Sequence, residues 1–217
     1  MEQNVLKETL DRAVDGLGHS IASYPWEDRV AYANWLAQTY HYVCHSTRLL
    51  AAAAARMPFN TLGNQLHYRC ARHMAEEKKH ELLAVHDLQA LDCAIENLPE
   101  RPATRMFYEP QYTKIEHSDP ITLFGYILVL EAMSAAHGPA HVGRVVAAHG
   151  KRAVSFLALH ASEDAGHVAK ALDSLKQVEQ DKLQLVRDNI EQSAFAYVTL
   201  LNAIAPNSRP SRTFTPS

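Results

Sequence analysis

Two stretches of the chain repeat one arrangement of metal-seeking side chains. His73, Glu77 and His80 stand as H-x3-E-x2-H, and His160, Asp164 and His167 stand as H-x3-D-x2-H, 87 residues further on. In a helix turning 100° per residue, positions i, i+4 and i+7 fall within an arc of about 60°, so each trio forms one stripe of two imidazoles and a carboxylate. Counted as template matches, about 0.1 such patterns are expected by chance in a chain of this composition. Solvated histidine and acid pairs on exposed helix faces account for one copy far better than for two.

A carboxylate followed three residues later by a histidine, supplied by each of two helices, is how helical bundles hold a pair of metal ions. Carboxylates bridge the ions and imidazoles cap them, and a mixed N/O set with an open position suits iron that binds dioxygen. Zinc fits less well, because structural zinc sites lean on cysteine or stop at four ligands. Glu131 is the next candidate, as the only charge between Ile121 and Ala136. A lone carboxylate on a buried face costs several kcal/mol unless it is paired, protonated or bound to a metal. A third helix supplying a ligand resolves that cost; an arginine partner or access to water is the alternative. His45, one turn after His41, offers a seventh ligand or a group bracing the ligands, and His73 ranks with it below the other six. His86, His117, His137, His141 and His149 read as structural or surface residues, and Tyr40, Tyr42 and Tyr126 as packing.

The elements that must position these residues are helices. Eight Gly and ten Pro punctuate long stretches with apolar residues at helical spacing, and no run alternates as a half-buried strand does. The class is all-α, with helices expected at 2–22, 28–56, 62–95, 120–137, 139–149, 151–176 and 178–204. The edges carry local signals at Pro25, Pro58, Pro120, Gly138-Pro139 and Gly150. Residues 96–117, with three prolines, read as a long connection that covers the site as a lid. One domain is expected over 1–205, followed by a disordered tail at 206–217.

Composition narrows the function classes. A chain of 217 residues that is 47% hydrophobic buries one sizeable core, and a net charge of −3 with scattered Lys and Arg leaves no basic face for nucleic acid or an anionic membrane. The N-terminus is charged where a signal peptide needs an apolar core, and no stretch reaches the roughly 18 uncharged apolar residues that span a bilayer, so a cytoplasmic protein is expected. Cys44, Cys70 and Cys93 form no C-x-x-C pair and read as reduced core thiols.

On EKKH at Glu77–His80, the isolated Glu131, and HASEDAGH with His160, Asp164 and His167, the chain resembles the heme-oxygenase-like diiron oxidases. These share a seven-helix fold with TenA-like thiaminases, PqqC-like enzymes and heme oxygenases, and the likeness covers most of residues 10–205 in helix order and length. The resemblance implies two Fe(II) per chain, the second more labile, held by Glu77, His80, Glu131, His160, Asp164 and His167. It implies oxidation of an amino-acid-like or fatty-acid-like small molecule with dioxygen, and a homodimer. Where such proteins offer a glutamate in the second helix, this chain has Cys44 and His45. The rivals are a TenA-like or PqqC-like enzyme without a diiron centre and a non-catalytic iron-binding protein. Against the thiaminase type, the helix of Glu131 carries Ala132, Met133, Ser134 and Ala135 and no cysteine. A heme oxygenase would use His19 and leave the paired acidic motifs without a purpose.

Overall fold

The structure is a computed structural model that describes residues 2–206; the expected tail, from residue 207 on, lies outside the described residues. Nine α-helices and no strand occur among them: α1 (Glu2–Ser23), α2 (Arg29–Val43), α3 (Ser46–Arg56), α4 (Thr61–Glu76), α5 (Glu81–Ala90), α6 (Pro102–His117), α7 (Leu123–His149), α8 (Ser155–Ser174) and α9 (Gln180–Ile204). Because α3 follows α2 and α5 follows α4 after short breaks, the nine segments make seven rods, in the expected all-α class.

The core follows the apolar spacing. Leu6, Leu10, Val14, Leu17 and Ile21 form the buried face of α1, which packs on α9, whose own buried residues include Leu183, Val186, Ile190 and Leu201. Such a stripe recurs every three or four residues because 3.6 residues make a turn. α7 is the central rod. From Leu123 to Val129 every residue is buried, and helices on all sides contact it. The stretch Pro120–His149 is long and apolar enough to cross a membrane, beyond what the sequence reading allowed, but two thirds of its apolar window (67%) is buried inside this fold, as a core helix requires.

Two glycines let rods approach α7 closely. A Cβ on Gly138 would lie 2.9 Å from Ala161 Cβ of α8, and one on Gly125 would lie 2.4 Å from the Val186 carbonyl oxygen of α9. Gly150, at φ 85°, ends α7 in a backbone conformation that disfavours L side chains.

Four boundaries differ from the sequence reading. Gly138-Pro139 does not divide α7: proline removes one backbone donor, and the packing of His137 on α1 and Gly138 on α8 carries the rod through it. Residues 102–117 form α6 rather than an irregular lid. Pro102 stands in the first turn, where a missing N–H costs nothing, and the buried Gln38 of α2 accepts from the Arg101 N–H at 2.9 Å and the Thr104 hydroxyl at 2.6 Å. A cap supplied from another helix leaves no local signal. The expected second helix breaks at Cys44–His45, and the third breaks at Glu77–His80, where Lys79 takes φ 71°. Such a conformation is uncommon for a side chain other than Gly, Asn or Asp.

Candidate metal centre

The break after α4 decides the geometry. Glu77 caps the end of α4, while His80, after the Lys78-Lys79 turn, begins α5. The first stripe is therefore bent rather than straight, and its two histidines face different neighbours. His73 meets Glu131 of α7 and His167 of α8, the two rings 5.3 Å apart. His80 instead meets His160 of α8, with ring centroids 5.1 Å apart and nearly perpendicular.

Two sets of donor atoms result, each with its members within 4.8 Å of one another: His73, Glu77, Glu131 and His167, all buried, and Glu77, His80 and His160, the last two partly buried. Glu77 belongs to both. Asp164 lies beside the first set, its Oδ1 3.6 Å from His167 Nδ1. The six leading candidates of the sequence, with His73, are thus brought to one place. His45 is not: its Nδ1 is 2.8 Å from the Tyr112 hydroxyl and its ring stacks on Tyr108 at 3.9 Å. It stands at the α2–α3 break, and α6, the helix the sequence reading lacked, holds it there.

Several polar atoms of the cluster are left without a hydrogen bond. His73 Nε2 lies 2.9 Å from Glu131 Oε1 and 3.3 Å from Glu77 Oε1. One N–H cannot point at both, and hydrogen-bond geometry is met toward Glu77. Both Glu131 oxygens, His80 Nδ1 and His167 Nδ1 are buried without a hydrogen bond. No Lys or Arg pairs with Glu131 among the described residues; its ionic neighbours are His73 and His167. Each such orphan costs about 1–3 kcal/mol and more when charged; a cation in the first set would satisfy Glu131 and His167, and one in the second would satisfy His80. The donor set, carboxylate oxygens and imidazole nitrogens with no thiolate, fits iron.

Protonation follows the same crowding. Burial disfavours a charged His73, but the carboxylates of Glu131 and Glu77 beside it more than offset this and raise it to about 9. For Glu77 burial acts upward, yet His73 and His80 hold its carboxyl well below the usual range. Asp164 is pushed up to about 8 by burial and by the neighbouring Glu131, despite a hydrogen bond from Ser134. Burial pulls His160 below the usual imidazole range. Its Nδ1–H donates to the Phe156 carbonyl at 2.9 Å, so the lone pair of Nε2 is free to face Glu77 and His80.

A cavity of about 110 Å³ opens onto the cluster, reaching His73, Glu77, Glu131, His160 and Asp164. Its other walls are overwhelmingly apolar, from α1, α2, α3, α7, α8 and α9 and from Trp26 between α1 and α2, and include no cysteine, lysine or arginine. Val43 and Ser46 are what the α2–α3 break presents to it.

A family model described as iron-containing redox enzyme matches residues 33–198. The chain belongs to this family. The match spans every donor residue named above. Among solved structures, this iron-containing redox enzyme family member is similar to a domain of unknown function with a heme oxygenase-like fold from Shewanella denitrificans OS217. That likeness has a TM-score of 0.79 at 20% identity and covers 90% of each chain. A TenA homolog from Pseudomonas syringae pv. tomato str. DC3000 has a TM-score of 0.77 at 13% identity, covering 93% of this chain and 91% of that one. The heme-oxygenase-like fold expected from the sequence is therefore shown. Among curated proteins no match was found.

One participant escaped the sequence reading. Glu76 of α4 places Oε2 3.7 Å from His167 Nε2 and 3.7 Å from Arg69 Nη1, and its Oε1 accepts from Lys170 at 3.0 Å. Arg69 is 4% exposed and none of its nitrogens has a hydrogen-bond partner. The only signal was Arg69 and Glu76 at i, i+7 on one helix face; beside Glu77, Glu76 reads as an ordinary surface acid.

Proposed function

We propose that the protein is a non-heme diiron oxidase or oxygenase that uses dioxygen to oxidise a small organic molecule. The observation that carries this reading is the position of Glu77 in both donor sets, where one carboxylate can serve two ions. His73, Glu77, Glu131 and His167, with Asp164 beside them, would hold the first iron; Glu77, His80 and His160 would hold the second. The second set has fewer donors and is less buried, which makes that ion the more labile. When bound, ferrous iron supplies a site for dioxygen and the reducing equivalents for hydroxylation, N-oxygenation, desaturation or C–C cleavage.

The chain's own residues do the rest. The Phe156 carbonyl fixes the ring of His160, and Glu76 faces the far nitrogen of His167. His73 Nε2, which holds a proton between Glu77 and Glu131, must release it before that nitrogen can bind a metal. The apolar walls exclude water from one side of the cluster. A thiaminase-type hydrolase lacks its nucleophile here, because no cysteine lines the cavity. A purely structural iron site would need no cavity beside it. We further propose a cytoplasmic homodimer with no nucleic-acid or membrane partner.

Anaerobic titration with Fe(II), followed by metal analysis and then by dioxygen, tests the reading. Up to two irons per chain and a transient visible absorbance on adding dioxygen are expected. His160→Ala and His167→Ala should lose iron and the oxygen reaction together while remaining folded. Stoichiometric zinc with no recoverable iron binding would reject the proposal, and stable iron inert to dioxygen would favour a structural site.

A further inference from the structure

The cavity beside Glu131 continues along α7 to His141, ten residues away, about 15 Å of helix rise. Here it is walled by Ile21, Trp26 and Trp35. His141 is 6% exposed, its ring stacks on Trp26 at 5.0 Å, and its Nδ1 is 3.2 Å from Arg144 Nη1. Glu27 in turn holds Arg144 through both oxygens, at 2.6 and 2.9 Å. A guanidinium only donates, so Nδ1 of His141 is the accepting nitrogen and the ring proton sits on Nε2. Burial and the Arg144 charge keep the imidazole below its usual range, hence neutral near pH 7. Nε2–H makes no hydrogen bond to any described residue. His141 lines the cavity, so this donor is available to an occupant that carries an acceptor.

The size and charge of the chamber define what fits it. One water-sized sphere takes roughly 10–15 Å³ of such volume, so about 110 Å³ holds roughly seven to eleven non-hydrogen atoms. With no lysine or arginine in the walls, Arg144 behind His141 already paired with Glu27, and the carboxylates of Glu77, Glu131 and Asp164 in the same cavity, an anion buried at His141 would lack a free counter-charge. We propose that this cavity binds a neutral, mainly apolar molecule of that size whose single acceptor oxygen, of the carbonyl type, rests on His141 Nε2–H while its apolar body extends toward Glu131. That this molecule is the substrate rests on the diiron reading above; that it binds does not.

The test uses metal-free protein, so that iron binding, measured separately, can fail without touching the result. Both tryptophans of the chain, Trp26 and Trp35, line the cavity, and their fluorescence reports occupancy. Titration with heptan-2-one, hept-1-ene and heptanoate should show the ketone binding roughly fivefold tighter than the alkene, as one added hydrogen bond gives, and heptanoate weakest. His141→Phe, which keeps the stack, should bring ketone and alkene to equal affinity, and His141→Gln, which keeps an N–H donor, should restore part of the difference. Equal affinity of ketone and alkene for the wild type, an unchanged preference in His141→Phe, tighter binding of heptanoate, or no response to any probe would each overturn the proposal.

Discussion

Glu131 is a buried carboxylate with no lysine or arginine partner among the described residues; its ionic neighbours are the imidazoles of His73 and His167. It sits with Glu77 and Asp164 around His73 and His167, and neither of its oxygens is satisfied. Replacing it with glutamine keeps the volume and removes one charge from a crowded acidic group. The metal-free Glu131→Gln protein should melt at the wild-type temperature or a few degrees above it, with iron binding weakened. Melts with and without Fe(II) decide this: a much lower metal-free melting temperature with normal iron binding would make Glu131 a structural residue. Glu76 belongs to the same scale. Partners behind a metal-bound histidine contribute roughly 10–100-fold to metal affinity. Glu76→Ala should lose affinity in that range and also lower the metal-free melting temperature, because it strips the buried Arg69 of its counter-charge. Calorimetric titration with Fe(II) or Co(II) measures the loss, and an unchanged affinity would show that Glu76 does not brace His167.

At the scale of elements, the donors of α8 reach those of α7 because Gly138 lets the rods close. A methyl there must displace Ala161, and overpacking of this kind costs about 1–3 kcal/mol. The better helix propensity of alanine returns roughly 0.5–1 kcal/mol. Gly138→Ala should therefore be modestly destabilised in urea and should bind iron more weakly, since α8 carries His160, Asp164 and His167. The packing of α6 on α9 offers a pH test. Lys114 donates to Asn189, and burial pulls its amine down to about 8. The unfolded lysine keeps its proton to about pH 10.4, so between these values the unfolded chain binds more protons and stability gains with rising pH. Denaturation at pH 7.5 and 9.5 should show Lys114→Met losing ground relative to the wild type as pH rises; a constant difference would contradict the shift.

For the whole molecule, light scattering at micromolar concentration should give about twice the chain mass of 24.2 kDa if the proposed homodimer forms; a mass near one chain would reject it. Much of the molecule was legible in its residues. Apolar spacing pointed to an all-α chain, and residue identity with spacing picked out His73, Glu77, His80, His160, Asp164 and His167, because both depend on the local period of a helix. The fold brings these six together. Glu131 stood out as an isolated charge, and His45, the eighth candidate, lies elsewhere. The repeat of 87 residues also marked two of the helices that meet. Tertiary structure decided the rest. Whether Pro139 breaks a rod and whether residues 102–117 become one depended on burial around α7 and on the cap from Gln38. The bend after Glu77 divided the first stripe between two donor sets, and α6 drew His45 toward Tyr108 and Tyr112. Glu76, Arg69 and His141 are ordinary in sequence and acquire their partners only when the rods pack. Which donors share one space depends on contacts between residues far apart in the chain, and a helical period reports only on neighbours within a few turns.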